Sequence, residues 1–222
     1  MVLLHGYLSC KESFAAQIAY FSKFYRVTAL DFLGQGSSAP LSEPFSVDDY
    51  AAWTEEVLAA LGVSNPCVIA HSFGCRVLIK MAKRGRLQFD KLVLTGPAGV
   101  VLPRGLRYIL RVRTYRFVKR FAPRFAERKF GSAEYKTLSP MMRESYKKIV
   151  NEDLRGDAAC LENAILIIEG EGDTVTPLQE AEAYLAVMKN ARIKTLAGGH
   201  FAFAENPVAF NILVEEFLQN VR

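Results

Sequence analysis

The stretch that decides the reading is Cys67-Val68-Ile69-Ala70-His71-Ser72-Phe73-Gly74-Cys75. Its first four residues form an apolar run of strand length, and a segment of helical periodicity begins directly after the serine. A strand that turns straight into a helix crowds its own backbone, so the positions two before and two after the turn residue must be small. Here they are Ala70 and Gly74. Such a turn lifts the Ser72 hydroxyl clear of the sheet. It also sets the hydroxyl at the positive end of the next helix, where backbone N–H groups can hold a developing negative charge. A bare small-x-Ser-x-Gly string also arises by coincidence, so its surroundings decide.

Outward from this turn, short apolar runs alternate with helix-period segments, as in a parallel sheet covered by helices on both faces. The predicted strands are 2–4, 26–30, 67–70, 91–95, 165–168 and 192–196, and the predicted helices are 13–24, 47–61, 73–83, 178–188 and 207–221. The last helix has Asn206 as its cap and Pro207 at its first position. Residues 101–157 break the alternation with helix-like sequence and no strand, which predicts a helical cap inserted into a core of 1–100 and 158–222. Pro103, Pro123 and Pro140 should divide that cap into short helices, because an interior proline removes a donor and clashes with the preceding turn.

Composition bounds the rest. The 222 residues are 50% hydrophobic and 23% charged, enough for one substantial core and unlike a disordered or fibrous chain. No run of about 18 apolar residues occurs and the opening residues lack signal-peptide features, so a soluble, cytoplasmic protein without membrane insertion is expected. Cys10, Cys67, Cys75 and Cys160 form no CxxC pair and read as reduced, buried thiols. The net charge of +5 comes without a nucleic-acid-binding motif, so no nucleic-acid partner is expected. Residues 104–129 hold ten Arg and Lys against the single acid Glu127, with Leu106, Ile109, Leu110, Phe117, Val118, Phe121 and Phe125 interleaved at helical spacing. That amphipathic stretch reads as a solvated basic face, as an attractor of an anionic substrate, or as a loose contact with an anionic membrane surface.

Serine is a weak nucleophile and needs a base. Of the three histidines, His71 adjoins Ser72 and should project away from it, and His5 ends the first strand in a backbone turn. His200 remains, in the loop Gly198-Gly199-His200-Phe201 between the last strand and the last helix. The imidazole needs a carboxylate to set its tautomer, and the chain order for this turn is Ser, acid, His. Asp173, in Glu169-Gly170-Glu171-Gly172-Asp173 after the strand 165–168, satisfies that order; Glu169 and Glu171 compete with it, and a turn or cap role is its other reading. The alternative acid position after the strand 91–95 reads Gly96-Pro97-Ala98-Gly99 and offers no carboxylate. Two donors should face the developing oxyanion, the N–H of Phe73 and the N–H of Tyr7 in His5-Gly6-Tyr7-Leu8, with the Tyr7 side chain either facing substrate or packing.

Taken together these residues resemble the α/β-hydrolase superfamily from Val2 to the end of the chain. Leu3-Leu4-His5-Gly6 is similar to its oxyanion loop, Asp31-Phe32-Leu33-Gly34-Gln35-Gly36-Ser37-Ser38 to its D-x-x-G-x-G-x-S loop, and Gly170-Glu171-Gly172-Asp173 and Gly199-His200 to its acid and base segments. Ala70 stands where the family usually has Gly. The serine separates the chain from relatives resembling epoxide hydrolases and haloalkane dehalogenases, which carry Asp at that turn. The resemblance implies an acyl hydrolase acting on a small molecule without metal or cofactor. Carboxylesterases, thioesterases, C–C bond hydrolases and menaquinone-pathway lyases all remain open, as does a non-catalytic ligand-binding protein on the same scaffold. The resemblance also implies a β-hairpin before the first strand, which this chain lacks, so the reading frame is expected to continue upstream of Met1.

Overall fold

The computed structural model describes residues 1–102 and 138–219. Six strands form one parallel sheet: β1 (Val2–Leu4), β2 (Thr28–Leu30), β3 (Val68–His71), β4 (Lys91–Thr95), β5 (Ala164–Gly170) and β6 (Ala191–Leu196), in the order β2-β1-β3-β4-β5-β6. Their alternate residues serve two cores. Val2, Leu4, Val68, Ala70, Leu92, Leu94, Ile165 and Ile167 face one side; Leu3, Ile69, Val93, Leu166 and Ile168 face the other. A strand buried on both faces must be apolar throughout, which is why these segments read as unbroken hydrophobic runs.

The first face is covered by α2 (Val47–Ala60), α3 (Phe73–Arg84), α4 (Pro140–Ile149), α5 (Arg155–Ala158) and α6 (Leu178–Leu185). The second is covered by α1 (Ala15–Phe21), α7 (Ala202–Glu205) and α8 (Pro207–Gln219), through Phe14, Phe21, Phe203, Phe210, Val214 and Phe217. Each fully buried side chain of this size contributes roughly 1.5–3 kcal/mol of transfer free energy, so the helices are held by the sheet more than by intrinsic propensity. Local signals set their ends. Ser46 and Asp49 form a reciprocal capping box at α2, and Gly85 closes α3 in the left-handed conformation at φ 65°.

The chain leaves β1 toward β2 at one edge and returns to β3 on the other side of β1. The winding therefore reverses between β1 and β3, and a crevice opens at their carboxyl ends, where ligands bind in sheets of this kind. The loops carrying Tyr7 and Ser72 both emerge there.

Differences from the expected elements are small. The predicted helix 13–24 is a 3₁₀ turn, Lys11–Phe14, followed by α1, and α7 was not expected. Pro140 occupies the first turn of α4 behind the N-cap Ser139, where a proline costs no hydrogen bond. Of the cysteines only Cys75 is buried; Cys10 and Cys67 are half-buried and Cys160 is exposed, and all four are free thiols. That corrects the expectation of uniformly buried thiols, since Cys160 follows a helix end at the surface rather than lying within an apolar run. No described helix is long and apolar enough to cross a membrane. The basic stretch 104–129 lies outside the described residues.

Candidate active site

Four strand ends supply the site. After β3, Ser72 adopts φ 50° and ψ −108°, a conformation that costs a non-glycine residue about 1–3 kcal/mol and persists only where the surroundings enforce it. The enforcement is local. The Ser72 N–H donates to the Thr95 carbonyl at 3.1 Å, and the Ser72 carbonyl accepts from Cys75 at 3.1 Å and Ala98 at 3.4 Å. Gly74 is required for a related reason: a Cβ there would stand 2.3 Å from the Leu4 carbonyl oxygen, so the start of α3 could not approach β1. As the first residue of α3, Phe73 has an N–H with no acceptor inside its own helix.

After β5, Asp173 is locked by four hydrogen bonds. Its Oδ1 accepts from the N–H groups of Val175 (2.7 Å) and Thr176 (3.0 Å), and its Oδ2 from the Thr176 hydroxyl (3.0 Å) and the His200 Nδ1 (2.7 Å). Burial pushes the carboxyl pKa up, but the hydrogen bond from His200 and the N–H groups of Thr176 and Val175 outweigh it and hold the group below the usual aspartate value. With Nδ1 donating to Asp173 and lying 3.1 Å from the Thr176 hydroxyl oxygen, the His200 proton sits on Nδ1 and the Nε2 lone pair is available as a base. No hydrogen bond joins the His200 and Ser72 side chains in this structure. Glu205 supports the loop from behind by accepting from the Gly199 N–H at 2.6 Å.

Gly96, at φ 51°, explains why the position after β4 carries no acid. A Cβ there would lie 3.2 Å from His200 Nδ1 and 3.3 Å from Asp173 Oδ2, so the empty position makes room for the pair supplied from β5 and β6. Glu171 is exposed, whereas Glu169 is fully buried.

After β1, the loop is held by residues far away in sequence. The Phe32 N–H donates to His5 Nε2 at 3.2 Å, which leaves the His5 proton on Nδ1, where it is donated to the Gly6 carbonyl at 2.7 Å. That bond fixes the Gly6–Tyr7 peptide, whose opposite end is the Tyr7 N–H. Leu8 sits at φ 56° with its N–H donating to Gln35 Oε1 at 2.7 Å. Asp31 binds the Lys11 N–H (2.7 Å), the Lys11 ammonium (2.6 Å) and the Ser37 N–H (3.0 Å), and so ties the loops after β1 and β2 together. The Tyr7 side chain packs: its hydroxyl donates to the Met142 carbonyl at 3.1 Å, and its ring contacts Phe73 and Tyr146.

His71 has a role the sequence did not reveal. Its ring is buried, lies 4.7 Å from the His200 ring centroid, and its Nε2 meets the His200 carbonyl at 2.9 Å. Burial, reinforced by the neighbouring His200, depresses its pKa to about 3, so it stays neutral and braces the histidine loop. Sequence reasoning also missed Thr176, Gln35 and Glu205. Thr176 had a usable signal, since a threonine three residues after a turn aspartate can return a hydroxyl to it. Gln35 and Glu205 had none, because their partners are chosen by loop packing.

The comparisons agree with this architecture. The chain belongs to the alpha/beta hydrolase family, whose model matches residues 1–211. It is 28% identical to 2-hydroxymuconate semialdehyde hydrolase of Pseudomonas putida, over 89% of this chain and 78% of that one. It is 27% identical to epoxide hydrolase 4 of Mus musculus, over 99% and 72%. Among solved structures, an esterase from Exiguobacterium antarcticum superposes with a TM-score of 0.78 at 21% identity, covering 99% of this chain and 91% of the other, a likeness of fold.

Proposed function

We propose that the protein is a serine hydrolase that cleaves an ester, thioester or related acyl bond through Ser72, His200 and Asp173. The observation that carries this reading is the left-handed Ser72 at the start of α3, in a site where His200 commits Nδ1 to a buried aspartate. His200 Nε2 takes the hydroxyl proton as Ser72 Oγ attacks the carbonyl carbon, and the N–H groups of Tyr7 and Phe73 hold the oxyanion. The proton passes to the leaving group, and water then releases the acyl group by the same route, with Asp173 stabilising the imidazolium each time. The scheme uses no metal or cofactor. A hydroxyl nucleophile favours acyl chemistry over the epoxide opening named for the mouse relative.

The substrate in this reading is a small acyl compound met in the cytoplasm, an anionic one if the basic segment steers it. In this reading the inserted stretch, residues 101–157 against a core of 1–100 and 158–222, selects it, and its described end joins the core on the first face through Met142, Ile149 and Leu154. The backbone supports an insertion here, since the Leu154 N–H reaches the Gly99 carbonyl at 2.7 Å and closes the excursion at its base. A second reading, a C–C bond hydrolase on the same residues, is favoured by the identity to the semialdehyde hydrolase.

A fluorophosphonate probe tests the mechanism. Ser72 should be labelled in the wild-type protein, and a folded Ser72→Ala variant should not label; a folded wild-type protein that resists the probe would favour a ligand-binding role instead. Turnover of aryl esters, acyl thioesters and ring-cleavage diketones then separates the two hydrolase readings.

A further inference from the structure

The serine hydrolase reading leaves one buried acid without a task. Glu169, near the end of β5, is 0% exposed, and neither carboxyl oxygen makes a well-formed hydrogen bond among the described residues, the Gly170 N–H and the Asp173 carboxyl being the polar groups close enough to act on it. Alternation along β5 places it on the same face as Ile165 and Ile167, beneath the turn that carries Asp173. A carboxylate left unpaired there would lose its hydration with nothing in return, so the group keeps its proton.

Its surroundings reinforce that choice. Asp173 acts on it with negative charge, and Glu180 of α6, whose own pKa burial pushes up to about 7, does so more weakly once ionised. Cys75 of α3 faces it as a neutral thiol, held so chiefly by burial. Arg76, the buried cation of α3, directs its Nη1 to the carbonyls of Ile149 and Glu152. Burial first and Asp173 second raise the Glu169 pKa to about 8.

We propose that Glu169 is a positioning residue of the active site, a neutral acid behind Asp173 whose ionisation strengthens His200 as a base. The inference rests on the hydrolase reading. When Glu169 loses its proton, a second negative charge stands behind Asp173 and favours the imidazolium that forms as His200 takes the Ser72 proton. The rate should therefore rise, not fall, as Glu169 ionises.

The test is the pH dependence of kcat/KM for a neutral ester between pH 5 and 10. The wild-type profile should rise by several-fold near pH 8, and Glu169→Gln should lose that rise. A second measurement reads the same proton through stability. The folded pKa of Glu169 lies above its unfolded value, so between about pH 5 and 8 the native state binds the extra proton and stability falls as pH rises. Across that window the folding equilibrium of Glu169→Gln relative to wild type should improve about tenfold per pH unit. A wild-type profile with no rise near pH 8, or a rise there that survives Glu169→Gln, overturns the proposal. If Glu169→Gln does not fold, infrared titration of the wild-type protein decides: a buried protonated carboxyl that ionises near pH 8 supports the assignment, and a carboxylate already ionised at pH 7 overturns it. Failure of Ser72 to take the probe would sink the hydrolase reading instead, while the infrared result would stand by itself.

Discussion

The loop after β5 and the loop after β1 serve the same crevice but are ordered in opposite ways. Asp173 is held largely by its own neighbours: three of its four donors come from Val175 and Thr176, two and three residues away. The β1 loop borrows much of its order, since the Leu8 N–H depends on Gln35 and the Gly6 carbonyl, besides a local bond from the Ser9 N–H at 3.3 Å, on a His5 ring oriented by Phe32. A self-contained turn keeps its restraints within a few residues, whereas a borrowed conformation hangs on groups that distant loops supply. The acid loop should therefore tolerate loss of one supporting group better than the oxyanion loop does.

Removing the groups that the loops exist to present should abolish the distinction. Ser72→Ala, His200→Ala and Asp173→Asn should each lower kcat by about 10³-fold or more in a folded protein, because residues that act as a unit fail as a unit. Activity within tenfold of wild type in Asp173→Asn would mean the acid lies elsewhere.

The supporting groups should then separate. Gln35→Leu removes the Oε1 acceptor of the Leu8 N–H. Losing one oxyanion donor outright costs about 10²–10³ in kcat, so loosening the loop beneath one should cost about tenfold, with KM little changed. Thr176→Val removes one of four donors to Asp173 while both backbone N–H groups remain, and should lower kcat only about threefold, near the net worth of one hydrogen bond. If Thr176→Val proves the more damaging of the two in steady-state kinetics, the contrast between the loops is wrong.

Glu171→Gln, at an exposed position of the same turn, should change kcat by less than about twofold, in keeping with the small effects of surface substitutions. The smallest signal is in acid stability. The folded pKa of Asp173 is depressed, so its stabilisation is present above the unfolded value of 3.8 and is lost as pH falls through the folded value. The stability deficit of Asp173→Asn should accordingly shrink below about pH 4 in denaturant titrations. A deficit that stays constant would remove the ionised carboxylate from the account.

The same contrast explains what could be read in advance. Asp173 was legible because an aspartate in a glycine turn before a helix signals its conformation locally, and Ser72 because Ala70 and Gly74 flank it. The strands were legible because a run buried on both faces has no polar positions to blur it. Thr176, Gln35, Glu205 and the bracing role of His71 were not, since each is defined by its partner rather than by its own pattern. Glu169 was weighed only as a rival acid, because the strand pattern does not reveal whether a polar residue at its end finds a donor.

By itself, then, the sequence determined the periodicities, the tight turns and the chemical types at the strand ends, all of which arise from interactions between residues a few positions apart. Only the tertiary structure decided which strand ends meet: that β3 lies beside β1, so Phe73 faces the His5–Leu8 loop, and that β6 lies beside β5, so His200 reaches Asp173 across 27 positions. Strand order depends on which helices cover which face and on where the winding reverses, and those are choices of long-range packing that no local window contains.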